Sequence, residues 1–378
     1  MMISYPGLSK LKTKQVVYEN VLLARDSGTL EQLKELSSKR KAVEESINEN
    51  SFITEAIARE MSGGLTSGCE QDILKLENYL PLLENLVHHV DLISNNHRMT
   101  CWISDLKIRW SSTLTSSSIF HLHGPKFYQI NDLHFELGMI LVLYGAMLRE
   151  RALEVLSKDL VQSATLFRKA SGVYHYLAHE VLPPLQNALP PERPQEATSR
   201  VSSVMSLICL ADAQAVTVKK AEENGNTGGL LAKLHYGVQE FLVEAINELH
   251  SVAKECKDIS SRLLDFISCC KTLHELKSYK YLAEGLRNDG KIGTAVGVLR
   301  RALANSKSLP KEESWRLVSK QIIDDLTVLL RKYEHENDFI WHEKVPSNGE
   351  LPFPQAVKVA SPIPYHPQKW ERTLVLKM

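Results

Sequence analysis

Leu282-Ala-Glu-Gly-Leu-Arg-Asn-Asp-Gly290-Lys-Ile-Gly-Thr-Ala-Val-Gly-Val-Leu-Arg-Arg-Ala302 is the stretch that decides the fold. Leu282, Ala283 and Leu286 precede Gly290, and Ala295, Leu299 and Ala302 follow it. This is the small/large spacing of a tetratricopeptide helix pair: small residues fall where two helices cross closely, and the glycine sits at the turn. Ala164, Phe167 and Ala170 give a fainter version upstream, and Pro310, the proline expected to end such a unit, comes slightly late. One clear unit predicts a tetratricopeptide-like middle and not a regular array. Stacked pairs of this kind build curved scaffolds with a concave and a convex side.

Outward from that pair, most of the text is helical. Residues 28–48 carry Leu30, Leu33, Leu36, Val43 and Ile47 among polar residues, a stripe of helical period. Ser51 opens a further segment that Gly63, Gly64 and Gly68 end. Residues 70–93 read as a long helix that Pro81 should kink or split. A strongly apolar helix follows from Leu133 to Leu156, another fills 158–182, and Pro183-Pro184 stops it. The proline-rich stretch to Glu196 reads as a loop. Helices are expected over 198–222, 229–255, 258–288, 291–305 and 311–335, with a Gly/Asn loop from Asn224 to Gly229 between the first two.

Two regions differ. In 101–130 the alternation Leu106-Lys-Ile-Arg-Trp110 is strand-like, and a small hairpin or three short strands is expected there. The last 40 residues hold Pro346, Pro352, Pro354, Pro362, Pro364 and Pro367 between Phe353, Val357, Val359, Ile363 and Tyr365. Prolines forbid a regular helix, so this tail is expected to lie extended against the helical body.

The chain has 378 residues with 45 Lys+Arg against 45 Asp+Glu, a formal net charge of zero, which argues against a general nucleic-acid binder. No apolar run is long enough to predict a transmembrane helix, and the first residues do not read as a secretory signal. The cysteines, Cys69, Cys101, Cys209, Cys256, Cys269 and Cys270, have no metal-type pair spacing and read as reduced structural thiols of a cytosolic protein. His88, His89, His121 and His123 lack readable partner ligands. There is no phosphate loop, nucleophile elbow or zinc-protease helix, and paired carboxylates such as Asp324-Asp325 fall on polar helix faces. Nothing brings together a nucleophile, a base and an orienter, so a non-catalytic protein without cofactor, metal or small-molecule substrate is expected.

Two features bear on binding. Leu230, Leu234, Val238 and Leu242 repeat every four residues after the glycine loop, which on its own reads as core, though an interhelical groove would also want such a stripe. Lys10-Lys12-Lys14, Lys39-Arg40-Lys41, Lys219-Lys220 and Arg300-Arg301 are basic clusters that, gathered on one curved surface, could attract an anionic membrane weakly.

Four segments carry a resemblance. Ala164-Thr-Leu-Phe-Arg-Lys-Ala-Ser-Gly-Val-Tyr-His-Tyr-Leu177, Ser206-Leu-Ile-Cys-Leu-Ala-Asp-Ala-Gln214, Leu230-Leu-Ala-Lys-Leu234 and Asn337-Asp-Phe-Ile-Trp-His-Glu-Lys-Val-Pro346 resemble, in order, four motifs of the Bro-one domain, the endosomal domain of the Alix proteins. The last is the most specific. The resemblance spans roughly residues 100–365. It implies one mainly α, elongated, banana-shaped domain over 1–378: N-terminal helices to 100, the β region at 101–130, a tetratricopeptide-like core at 131–335 and an extended strap at 336–378. It also implies an adaptor of multivesicular-body sorting, in the cytoplasm and recruited to endosomal membranes. Its groove would bind the amphipathic C-terminal helix of a Snf7-type (charged multivesicular body) subunit of ESCRT-III.

Carried over by that resemblance, two apolar groove positions fall on Leu230 and Leu234, and the groove lysine on Lys220. The family's groove phenylalanine falls on Thr217, which removes an aromatic contact. Trp341 stands where the family has a tyrosine, so phosphorylation there is not implied. The text looks like a stand-alone Bro-one protein, without a coiled-coil second domain or long proline-rich tail. The alternative is a curvature-sensing scaffold that binds anionic lipid.

Overall fold

The computed structural model describes residues 8–49, 68–93, 97–115, 125–186, 188–252, 259–306, 312–368 and 372–377. The segment from Ser51 to Gly64, the histidines His121 and His123, Cys256 and Pro310 lie outside the described residues. Helices are α1 (Ser27–Glu49), α2 (Gly68–Leu92), α3 (His97–Ser104), α4 (Leu133–Val155), α5 (Leu160–Tyr176), α6 (Ser199–Glu223), α7 (Gly228–Val252), α8 (Ser261–Asn288), α9 (Ile292–Asn305) and α10 (Glu313–Glu336). Each helix from α4 to α10 packs against the next in chain order, and α2 joins α1 to α4. The tetratricopeptide-like pair is α8 and α9. Ala283, Ala295, Leu299 and Ala302 are fully buried at the crossing, and Gly290 turns the chain at φ +76. Only glycine adopts that left-handed conformation cheaply.

Local chemistry sets the ends. Asp132 caps α4, its carboxylate accepting from the amides of His134 at 2.7 Å and Phe135 at 3.1 Å. Asp159 caps α5 in the same way. After Tyr176 the chain widens into a π turn, Leu177–Val181, before the prolines stop it. Pro81, however, does not split α2, which runs unbroken from Gly68 to Leu92. Leu80, Leu82, Leu83, Leu86 and Val87 are all buried around it. Burying several such side chains stabilises by about 1.5–3 kcal/mol each, enough to offset the roughly 3 kcal/mol cost of an interior proline. α6 is long and apolar enough to cross a membrane, but 78% of its apolar window is buried inside the fold, as in a core helix.

The β region is the small antiparallel pair that the sequence led one to expect. β1 (Arg109–Ser111) pairs antiparallel with β2 (Phe127–Gln129), in register Trp110↔Tyr128. Trp102 and Ile103, grouped with the strand text by sequence, belong to the short helix α3. Beneath β1 lies a buried polar network. Glu136 of α4 accepts from Arg40 Nε of α1 at 2.5 Å and from Trp110 Nε1 at 2.7 Å. Arg40 Nη2 donates to Thr13 Oγ1, and the Tyr18 and Tyr79 hydroxyls meet at 2.7 Å beside them. Arg40 and Glu136 are both 0% exposed.

After α10, a π turn over Asn337–Trp341 reverses the chain, with His342 in the left-handed region at φ 52. The tail then runs back across the helices from last to first. Lys344 and Leu351 lie against Gly293 and Gly297 of α9, Val357 against Gly237 of α7, and Ile363 against Gly172 of α5. A methyl group on Gly172 would stand 1.7 Å from the Ile363 carbonyl oxygen, so the strap lies flush on bare backbone. Val357 N–H donates to Lys233 O at 3.1 Å and Ile363 N–H to Arg168 O at 3.0 Å. The last described residues reach α1: Val375 N–H donates to Thr29 Oγ1, and Lys377 N–H to Leu23 O at 2.8 Å.

Candidate partner-binding site

The sequence-predicted residues sit on α6 and the first turns of α7. On α6, Thr217 lies one turn from both Gln214 and Lys220, and Lys220 is turned about 120° from Gln214 toward solvent. On α7, Leu230 and Gly237 are two turns apart and share a face. The strap crosses α7 at Lys233 and Gly237 and α6 at Gln214. Thr217, Lys220 and Leu230 therefore lie on a shelf between the strap and the loop that follows Asn224.

The two leucines separate. Leu230 is 39% exposed, whereas Leu234 is 5% exposed and belongs to the hydrophobic core. Of the two leucines that the resemblance assigns to the groove, Leu230 is the one that presents its side chain to solvent. The reason lies in helix geometry, since a four-residue step rotates the side chain by about 40°. That rotation turns Leu234 toward the seam with α6. Thr217 is half-buried and donates its hydroxyl to the Ala213 carbonyl at 3.0 Å, back onto its own helix. Lys220 and Lys233 are exposed, and neither has an ion pair among the described residues.

Gln214 holds the shelf's strap side. Its Nε2 donates to the carbonyls of Leu234 at 2.9 Å and Val357 at 2.8 Å, and its Oε1 accepts from Val359 N–H at 2.9 Å. It is 0% exposed, so one amide ties α6, α7 and the strap together without water. Sequence reading missed it. The available signal was a long amide amid the small, apolar text of Leu210-Ala-Asp-Ala-Gln-Ala215.

The opposite end is held by a polar clasp. Glu222 of α6 accepts from Tyr281 OH of α8 at 2.8 Å and meets His235 Nε2 of α7 at 3.1 Å. His235 Nδ1 meets His274 Nδ1 at 3.0 Å, and Tyr281 stacks on the His235 ring. One neutral tautomer satisfies this chain: His274 donates to His235, which donates through Nε2 to Glu222. The hydrogen bond from His235, then that from Tyr281, holds the Glu222 carboxyl down at about 2, while burial lowers His235.

The basic clusters do not form one surface. Arg40 is buried on Glu136, and Lys12 donates to the carbonyls of Ile47 and Asn48. Lys41 pairs with Glu45, Lys219 with Glu223, and Arg300 with Glu334. Arg301 is buried and donates to the strap carbonyls of Leu351 and Pro352. Among the described residues no three His, Cys, Asp or Glu side chains converge as metal ligands. A cavity of about 20 Å³ between α6, α7 and α8, lined by Asp212, Cys270 and His274, has room for a water and not for a substrate.

A stack of paired helices, a two-stranded sheet and a tail folded back over them define the class. The family pattern described as the BRO1-like domain matches residues 32–376, and the chain belongs to that family. It is 24% identical over 317 residues to the BRO1 domain-containing protein BROX of Homo sapiens, the match covering 79% of this chain and 74% of that one. It is 28% identical over 232 residues to the pH-response regulator protein palA/prr-1 of Neurospora crassa, covering 58% of this chain and 26% of that one. Among solved structures, the BRO1 domain of ALIX in complex with CHMP4C superposes with a TM-score of 0.72 at 18% identity, covering 98% of both chains. A Bro1 domain solved as the structural basis of endosomal targeting gives 0.66 at 16%, covering 94% and 91%.

Proposed function

We propose that this protein is a non-catalytic adaptor that binds the C-terminal amphipathic helix of a Snf7-type ESCRT-III subunit on the shelf between strap and loop. It is recruited from the cytoplasm to endosomal membranes by that contact and serves multivesicular-body sorting. The observation that carries the reading is an exposed leucine, Leu230, with two exposed lysines, Lys220 and Lys233, that have no ion pair among the described residues, on the two helices between strap and loop. An amphipathic helix with apolar residues at i, i+3 and i+4 and acidic flanks fits that pattern. Family membership supports it, as does the likeness over nearly the whole chain to a BRO1 domain solved with CHMP4C.

Titration calorimetry with an isolated Snf7-type C-terminal helix tests it. Leu230→Asp is expected to abolish binding while the melting curve is unchanged, because the side chain is already in water. Lys220→Glu is expected to weaken binding less and to flatten its salt dependence, since a rim charge tunes encounter more than it holds the complex. Wild-type affinity in a folded Leu230→Asp protein overturns the site. No heat from the unaltered protein with any such helix overturns the function.

A further inference from the structure

The strap ends its crossing of α2 on a carboxylate that its surroundings do not suit. Tyr365 OH donates to Glu84 Oε1 at 2.8 Å. Glu84 Oε2 is buried and has no donor among the described residues. The whole circumference of α2 from Tyr79 to Val87 is buried, and Glu84 and Asn85 are where the strap covers it: Asn85 Nδ2 donates to the Arg372 carbonyl at 3.1 Å. Around Tyr365 stand two more phenols, Tyr144 of α4 at 6.2 Å and Tyr176 of α5 at 5.3 Å between ring centroids. A buried carboxylate needs donors on both oxygens, whereas the neutral acid needs fewer. Here Tyr365 and the Gln368 backbone act on the carboxyl, and Oε2 is left without a hydrogen-bond donor among the described residues.

We propose that Glu84 and Tyr365 form a proton-dependent latch that closes the strap over the first half of the molecule. Closed, Glu84 takes up a proton; opening lets water reach it and the proton leaves. No cation opposes this, for no described Lys or Arg acts on Glu84. The titratable groups that face the site are the phenols of Tyr144, Tyr176 and Tyr365, with Glu77 bonded to Tyr144 and Glu180 acting on Tyr176. On its own helix His88 is exposed one turn on, and His89 is bonded to the Asn85 carbonyl; His366 beside Tyr365 is exposed. Burial holds the Glu84 carboxyl up at about 7, partly offset by the bonds from Tyr365 and the Gln368 backbone.

The sign follows from that elevation. Closing is favoured fully below the ordinary carboxyl value near 4.5, weakens as pH rises toward 7, and levels off above it. Acidification within the neutral range therefore tightens the strap.

Hydrogen exchange of the full chain reads this directly at the strap amides of Val359 and Ile363, which donate to Gln214 and Arg168. After correction for intrinsic rates, their protection is expected to be about five- to tenfold higher at pH 6.0 than at pH 7.5. Glu84→Gln, which keeps the shape of the neutral acid, should give protection that does not change between the two pH values. Tyr365→Phe, which removes the donor, should lower protection at both. Protection of the unaltered chain that is flat with pH overturns the latch. So does a Glu84→Gln protein that keeps the pH response, or a Tyr365→Phe protein as protected as the parent. No partner enters the measurement, so its outcome is separate from that of the proposed function.

Discussion

Leu230 and Leu234 show how far one turn of helix changes a residue's role. An aspartate at 230 adds a charge to a side chain already 39% exposed, and the fold should tolerate it. An aspartate at 234 enters a site that is 5% exposed, where an unpaired charge costs several kcal/mol. Leu234→Asp is therefore expected to lower the melting temperature sharply or to prevent folding, and circular-dichroism melts of the two variants separate the cases. Thr217→Phe is the complementary change. Its hydroxyl makes only a local bond to Ala213, so replacing it costs little and lays an aromatic face on the shelf. Calorimetry should show tighter binding of the Snf7-type helix, and unchanged affinity would mean the helix does not pass over α6. Deeper in the fold, Glu136 shows the cost of an unpaired charge from the other side. Glu136→Ala strands Arg40 at 0% exposure and is expected to lose about 3–5 kcal/mol of stability, whereas Arg40→Met with Glu136→Leu should recover most of it by chemical denaturation.

At the scale of elements, the sequence was most legible where one residue type has one physical use. Gly290 could only be the turn between α8 and α9, and its φ of +76 is the conformation that small residue permits. The apolar run from Leu133 announced α4, whose N-cap is Asp132. Pro81 misled, because the lost hydrogen bond is outweighed by burial on every side of α2, and burial is a tertiary fact. The start of the 101–130 region proved helical, for Trp102 lies in α3, ahead of the alternation that marks the strand. Gly172 and Gly237 were unreadable, since their purpose depends on a chain segment more than a hundred residues away. With that segment placed, they yield a test. Gly172→Ala is favourable for an isolated helix by roughly 0.5–1 kcal/mol. Here its methyl group would overlap the Ile363 carbonyl, so the strap must lift. The variant is expected to melt below the parent, with proteolysis newly admitted near Ile363. A stabilised Gly172→Ala would show that the strap does not lie on α5.

From α4 onward the molecule is a stack in which each helix packs chiefly on its chain neighbours, so by itself it would couple mainly nearby units. The strap changes that connectivity. It leaves α10, is gripped at α9 by Arg301, at α6 and α7 by Gln214 and at α2 by Glu84, and ends against the start of α1 and the segment before it, where Ala24 and Leu376 form a bridge. One extended segment thus links the last helices to the first. The sequence foresaw its extended form from the prolines, and its apolar residues foretold a packed rather than a free tail. It could not foretell the destinations, because Arg301, Gln214 and Glu84 look like surface residues until the strap is laid over them. Removing residues 350–378 should do two things. It uncovers Glu84, Asn85, Gln214 and Arg301 together, which lowers the melting temperature. It also deletes the long-range tie, so α1 and α2 should lose hydrogen-exchange protection before α8 and α9 do, where the intact chain loses both together. If the shortened chain melts as the parent does, with α1 still protected, the stack carries its own cooperativity and the strap is only a cover.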